Sequence, residues 1–314
     1  MDTAHRDALK TMNSMTRRGR SRRAFSAAIA AGVGAAMLPL VELARAQDAP
    51  PQLLPLRTPK IDHLDVIVPN VEASARFYMS VFKTTLHAQP FQGGQRYFVL
   101  FGELTANRQV GYVAIGDARG RGSSIGHFCT SVFDYRRDAT ALAAALTDAA
   151  EKGGFGKLTI AGGFGGIFQD PDGIEIQFLP APDTLVTAAV PSELVPARQG
   201  LVTPTSVDHV LLHVADLEKG VRFYRILYGK ESQRTSNPDR IWFQIGDTRL
   251  GLEQAPAGQK PRIAHFGVKV MPFDRGVVTA GLAKLGATVL PSPDEPPVVR
   301  LRDPDGNVFE LTAG

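Results

Sequence analysis

Aspartates and histidines recur along this chain in one order, twice. Ile61-Asp62-His63-Leu64 is matched by Val207-Asp208-His209-Val210, and Gly126-His127-Phe128 by Ala264-His265-Phe266. Between these come Arg76-Phe77-Tyr78 and Arg222-Phe223-Tyr224, and each copy closes with Asp-Pro-Asp-Gly, at 170–173 and 303–306. The separation between copies shrinks from 146 to 138 to 133 residues, a drift that loop-sized deletions account for. Imidazole is both a common metal ligand and a proton carrier near neutral pH, so a duplication built around histidines marks chemistry as well as architecture.

The elements that must carry these residues follow the same order in each copy. Residues 63–68 read as a strand and 71–82 as a helix, with apolar Val71, Phe77 and Val81 at helical spacing. Strands are expected over 96–101, 110–115 and 127–133, then a helix over 139–150 and strands over 167–168 and 174–179. The second copy predicts strand 207–214, helix 217–227, strands 240–245, 249–253 and 263–270, helix 275–285, and strands 298–301 and 308–311. Asp-Pro-Asp-Gly suits a tight turn, because Pro presets φ and Gly accepts positive φ. Each copy is βαβββ-βαβββ in outline, an α+β arrangement in which a mixed sheet curls around a pocket. Residues 182–204 read as a linker and 47–57 as a Pro-rich arm.

Length and composition narrow the function. The 314 residues suffice for two cored domains, and 44% hydrophobic with 21% charged residues is ordinary for globular chains. The net charge of +4 is local: residues 1–46 hold eight Lys/Arg against three Asp/Glu, leaving 27 basic and 28 acidic residues beyond. A near-neutral body lacks the electrostatic footprint of a nucleic-acid binder. The single cysteine, Cys129, excludes an internal disulfide framework. Ser21-Arg22-Arg23-Ala24-Phe25 resembles a twin-arginine signal, followed by a short Ala/Gly-rich apolar stretch to Leu40 and small residues at Ala44-Arg45-Ala46. That stretch is shorter than a membrane span needs, so cleaved export to the periplasm is expected for residues 1–46.

Taken together, the Asp-His strand, the Phe-Tyr helix, the second histidine and the Asp-Pro-Asp-Gly turn make residues 58–181 and 205–313 resemble modules of the vicinal oxygen chelate superfamily. That superfamily includes glyoxalase I, extradiol ring-cleaving dioxygenases and the bleomycin- and fosfomycin-resistance proteins. The resemblance implies a divalent ion inside the curled sheet, Fe(II) or Mn(II) first, with Zn or Ni as alternatives. It assigns His209, His265 and Glu310 as ligands, Glu310 standing four residues past Gly306. Two imidazoles and one carboxylate leave coordination positions open for a chelating substrate. The first copy supplies His63 and His127, but Gln177 stands where the carboxylate belongs, with Glu175 two residues earlier. That copy is either degenerate or ligates through Glu175 after a change of register.

Neighbouring residues carry alternatives. His213 shares a strand face with His209 and is a candidate acid–base group, or a hydrogen-bonded core histidine. Glu253 is a candidate fourth ligand of the glyoxalase kind, with a solvated strand-end glutamate as the plainer expectation. Cys129 is expected as a small buried hydrophobe and His87 as a surface residue past a helix. The glycines at 162–166 lack the Lys-Ser/Thr of a phosphate loop. Three functions stay open: a metal-dependent ring-cleaving dioxygenase, a glyoxalase- or lyase-like metalloenzyme, or a non-catalytic binder of a small molecule. Against the first, the acid–base His and the Tyr that catechol-cleaving relatives carry fall here near Leu250 and at Arg300.

Overall fold

The computed structural model describes residues 53–103, 110–133, 135–158, 160–161, 166–181, 189–292 and 297–314. Residues 1–46, expected from sequence to direct export, and most of the glycine run at 162–166 lie outside these residues. Residues from Gln52 onward form one compact unit. Among the described residues no helix is long and apolar enough to cross a membrane.

The first copy runs β1 (Ile61–Val68), α1 (Val71–Val81), β2 (Leu86–Phe91), β3 (Gly94–Phe101), β4 (Gly111–Asp117), β5 (Ser124–Phe133), α2 (Tyr135–Lys152), β6 (Ile160–Ala161), β7 (Ile167–Gln169) and β8 (Glu175–Ala181). After β9 (Val190–Pro191), the second runs β10 (Thr203–Val214), α3 (Leu217–Tyr228), β11 (Gln233–Ser236), β12 (Asp239–Ile245), β13 (Thr248–Gln254), β14 (Arg262–Met271), α4 (Arg275–Lys284), β15 (Thr288–Leu290), β16 (Val298–Arg302) and β17 (Val308–Ala313). Each copy folds into its own mixed sheet, ordered β6-β7-β8-β5-β1-β4-β3-β2-β9 and β11-β12-β13-β10-β14-β17-β16-β15. Each sheet is two βαβββ halves joined at their first strands, β1 to β5 and β10 to β14, both antiparallel. Within each half the first strand pairs in parallel with the last, which the intervening helix makes possible.

Period-two alternation separates core from chemistry. In β1, Leu64, Val66 and Val68 are fully buried in the core, while His63, Asp65 and Ile67 occupy the opposite face. In β10, Val210, Leu212 and Val214 do the same, and His209, Leu211 and His213 face the other way. The core faces of both sheets merge into one hydrophobic cluster, with Tyr78, Phe82 and Phe266 all packed on Phe309. The helices start where side chains cap them: Asn70 accepts from the Ala73 amide and Asp216 from the Lys219 amide.

The repeated tyrosine and the repeated turn meet across the two copies. Asp303 Oδ1 accepts from the amides of Asp305 (3.0 Å) and Asn307 (2.7 Å), and its Oδ2 accepts the hydroxyl of Tyr78 (3.0 Å). Reciprocally, Asp170 Oδ1 accepts from the amides of Asp172 (2.9 Å) and Ile174 (2.8 Å), and its Oδ2 accepts the hydroxyl of Tyr224 (2.8 Å). The second aspartates join in: Asp172 Oδ2 accepts from the Ala215 amide at 2.9 Å, and Asp305 pairs with the Ser74 hydroxyl. Burial pushes the Asp170 carboxyl up to about 6 and raises that of Asp303, while these hydrogen bonds work the other way.

Residues expected to be plain connections are tied down. The linker supplies β9 to the free edge of β2, and its end runs beside α1, with the Leu201 and Val202 amides donating to Ser80 and Val81 carbonyls. The arm is held too, the Leu56 amide donating to the Leu227 carbonyl at 2.7 Å. His87 is not a surface residue past a helix; it lies half-buried in β2, where pairing with β3 creates a strand the local pattern does not announce.

Because each tyrosine hydroxyl bonds a buried carboxylate, Tyr78→Phe and Tyr224→Phe should each lower the unfolding free energy by about 1–3 kcal/mol. Chemical denaturation checks this; a change below a few tenths for both would show that the reciprocal bonds carry no stability.

Candidate metal centre

His209 on β10, His265 on β14 and Glu310 on β17 meet inside the second sheet. Their donor atoms all lie within 4.8 Å of one another, and all three residues are buried. His209 Nε2 is 3.5 Å from Glu310 Oε2 and His265 Nε2 is 3.5 Å from Glu310 Oε1. The two rings stand perpendicular, with centroids 5.3 Å apart. Atoms bound to one cation at about 2.0–2.2 Å each must lie within about 4.4 Å of one another, so the two 3.5 Å separations fit a shared ion.

The strand register explains the convergence. Gly267 pairs with His209 on one side and with Glu310 on the other, so three adjacent strands present His, Gly, Glu in a row. A Cβ on Gly267 would sit 2.4 Å from the His209 ring. The ring therefore lies across the glycine toward the carboxylate, and in this placement it occupies the space a side chain at 267 would need.

The surroundings prepare the donors. Asp208 Oδ2 accepts from His209 Nδ1 at 2.6 Å, which turns Nε2 and its lone pair toward the site. Burial opposes ionisation of Asp208, but the bonds from His209 and from Arg249 (3.0 Å) outweigh it and hold the carboxyl well below its ordinary value. Burial, then the neighbouring His209, Arg300 and Arg240, keep His265 far below the usual imidazole range, hence neutral as a ligand must be. Arg300 Nε donates to Glu310 Oε1 at 2.7 Å. Beside the triad opens a cavity of about 740 Å³, with Trp242, Arg240, Arg249, Arg300 and Glu253 in its wall.

The supporting residues fall out differently from expectation. His213 is not in that wall; it stands behind Glu253, 3.7 Å from its carboxylate. Glu253 is not a solvated strand-end residue, since its side chain is 15% exposed, lines the cavity and pairs with Arg240. Burial opposes its ionisation, yet His213 and Arg240 bring its carboxyl below the ordinary value. Leu250 is fully buried in the core cluster. The arginines of the wall were missed from sequence; the signal available was Arg240, Trp242 and Arg249 alternating on two adjacent strands.

The first copy builds the same constellation without a carboxylate. Gln177 Oε1 lies within hydrogen-bond distance of His63 Nε2 (3.0 Å) and His127 Nε2 (3.2 Å), and His63 Nδ1 is 2.9 Å from Asp62 Oδ2. The register does not shift to bring in Glu175, which pairs with His127 across the two strands and, with His127, lines a cavity of about 680 Å³. Cys129 takes the place that Gly267 holds, between His63 and Gln177, and groups with Asp62 and His63 within the same 4.8 Å limit. The nitrogens there are spent on hydrogen bonds. Burial, with His63 and Arg96 adding and Asp65 opposing, lowers His127 to about 4, so this cluster is neutral at that ring under ordinary conditions.

Residues 60–178 match the Glyoxalase/Bleomycin resistance protein/Dioxygenase superfamily, and residues 209–312 match the Glyoxalase-like domain. Among solved structures, the chain resembles the 2,3-dioxygenase LapB from Pseudomonas sp. KL28 with a TM-score of 0.60 at 18% identity, covering 83% of this chain and 93% of that one. The Mn(II)-bound glyoxalase from Novosphingobium aromaticivorans superposes with a TM-score of 0.56 at 16% identity, over 82% and 83% of the two chains. The 2,2',3-trihydroxybiphenyl 1,2-dioxygenase of Sphingomonas wittichii strain RW1 gives 0.55 at 15% identity, over 82% and 91%. Identities this low speak for the fold rather than for an activity.

Two outcomes follow from the geometry. Gly267→Ala should displace the His209 ring and weaken divalent-metal binding at least tenfold, as calorimetric titration would show. For His127, a folded value near 4 against the ordinary 6.5 means stability that is present above pH 6.5 and lost as pH falls toward 4, up to about 3 kcal/mol. Denaturation midpoints of the native protein should therefore fall across that window, and His127→Gln should flatten the slope.

Proposed function

Since this chain belongs to the glyoxalase/bleomycin resistance/dioxygenase superfamily, we propose that it is a metal-dependent enzyme acting on a small substrate that chelates through neighbouring oxygens. The reading most in keeping with its two-module architecture is a ring-cleaving dioxygenase of the extradiol type. The observation that carries the proposal is the meeting of His209, His265 and Glu310 beside a cavity large enough for a small molecule, which His209 and Glu310 line. A divalent ion held there, Fe(II) or Mn(II) by the His, His, carboxylate donor set, supplies a Lewis acid with positions left open for substrate oxygens.

The rest is done by the chain's own side chains. Asp208 fixes the His209 ring, Gly267 clears its path, and Arg300 holds Glu310 Oε1, leaving Oε2 toward His209. Trp242 lines the cavity and meets the His209 ring edge-on at 5.6 Å, with the Arg240 and Arg249 guanidinium groups over its own ring.

Glu253 supports a second reading, a glyoxalase- or lyase-like proton transfer. It is a carboxylate in the cavity wall, ionised by its partners and backed by His213, so it is placed to take a proton from a bound substrate. The residues that serve acid–base roles in catechol cleavage are absent from their places, where Leu250 and Arg300 stand. In this reading His213 orients Glu253 rather than touching substrate.

We propose further that residues 1–46 direct twin-arginine export, supported by the basic block before the apolar stretch and the small residues ending at Ala46. Protein recovered from the periplasm should begin at Gln47; recovery of the intact N-terminus from the cytoplasm alone would refute export.

Metal analysis of the purified protein should find one equivalent of divalent ion per chain. Glu310→Gln should abolish both metal uptake and turnover, whereas Glu175→Gln should leave them within about twofold. Absence of metal after incubation with Fe(II) and Mn(II) would leave only a binding protein. Oxygen uptake with catechols distinguishes the two enzymatic readings. In the proton-transfer reading oxygen is not consumed and Glu253→Gln lowers turnover about 10²–10⁴-fold.

A further inference from the structure

Three acids and three arginines line the cavity beside the triad, and each acid has its own arginine. Arg249 bonds Asp208 at 3.0 Å, Arg240 pairs with Glu253, and Arg300 bonds Glu310 at 2.7 Å. The wall is thus balanced in charge before any cation enters. A divalent ion on Glu310 adds two positive charges to a site whose ligands are 4–6% exposed, where uncompensated charge is poorly solvated. A neutral chelating substrate must shed protons to restore balance, whereas one bearing a carboxylate brings part of the compensation with it.

Arg300 stands where that anion would be received. Its side chain is 28% exposed, in the cavity wall, and among the described residues its guanidinium hydrogen bonds all go to the single atom Glu310 Oε1. Guanidinium carries five N–H donors in a planar fork, so donors remain for a second oxyanion beside the ligand set. It cannot give up its proton near neutral pH, so its contribution is charge and geometry rather than acid–base catalysis. A fork of that shape matches a carboxylate. The Arg240 and Arg249 guanidinium groups lie 5.3 and 4.8 Å from the Trp242 ring centroid, so cations also accompany that part of the wall.

From this arrangement we propose that the substrate is a carboxylate-bearing oxygen chelator, its vicinal oxygens directed to the ion and its carboxylate to Arg300. This inference rests on the metal-centre reading above. It makes Arg300 a specificity-determining residue, and it favours a carboxylated substrate over a plain diol.

Calorimetry in three steps tests it. The purified protein is first titrated with Mn(II), and the loaded protein then, without oxygen, with catechol and with 2,3-dihydroxybenzoate. These share one chelating pair and differ by a carboxylate. The carboxylated ligand should bind at least tenfold tighter. Compared at saturating Mn(II), Arg300→Gln should remove most of that advantage, and Arg300→Lys should keep part of it. Equal or tighter binding of catechol, or an advantage untouched in Arg300→Gln, overturns the proposal. If Arg300→Gln does not fold, Arg300→Lys must still lower the advantage threefold or more, or the proposal fails. Failure of Mn(II) to bind in the first step refutes the metal centre itself, before either ligand is added.

Discussion

The bond on which the arrangement depends is the one between a tyrosine of each module and an aspartate of the other. Asp303 spends one oxygen on the amides of its own turn and the other on Tyr78; Asp170 does the same with Tyr224. Both tyrosine hydroxyls are buried, and burial first, then the facing aspartate, keeps them protonated as donors far above their ordinary range. The turn at Asp303 launches β17, whose alternate residues send Phe309 into the shared core and Glu310 into the metal-centre cavity. A helix of the first module thus sets the position of a ligand in the second. Module 1, whatever its own pocket does, is structurally part of the site.

The two modules also show what separates a candidate metal centre from its imitation. A buried glutamate between two imidazoles, even with Arg300 on one oxygen, offers an anionic donor to a cation, whereas a glutamine in the same place is a neutral group that hydrogen bonding to ring nitrogens can satisfy. The change from Glu310 to Gln177 is accompanied by a change from Gly267 to Cys129, which puts a side chain where the second copy has none. The first cluster offers a neutral amide oxygen where the second keeps a carboxylate.

Much of this could be read from the chain. The long strands and helices announced themselves through alternation and helical spacing because their two faces see different surroundings. The strands that escaped are edge or short ones. β2 carries Pro90, β11 is Gln-Arg-Thr-Ser, and β15 has three residues; they are strands because a neighbour pairs with them, not because their side chains favour it. His87 was misjudged for the same reason. Glu253 reads as solvated because nothing local reveals that Arg240, on the preceding strand of the chain, pairs opposite it and turns toward it.

The duplication, the α+β architecture and the identity of the paired histidines are consequences of local pattern, repeated so that each copy corroborates the other. Which carboxylate faces those histidines, which arginine accompanies it, and that the Phe-Tyr helix of one copy serves the turn of the other are matters of registry between strands far apart in the chain. Those contacts arise only when the core faces of two sheets close on one another, since a residue shift in any one strand would turn His209, Gly267 or Glu310 to the opposite face.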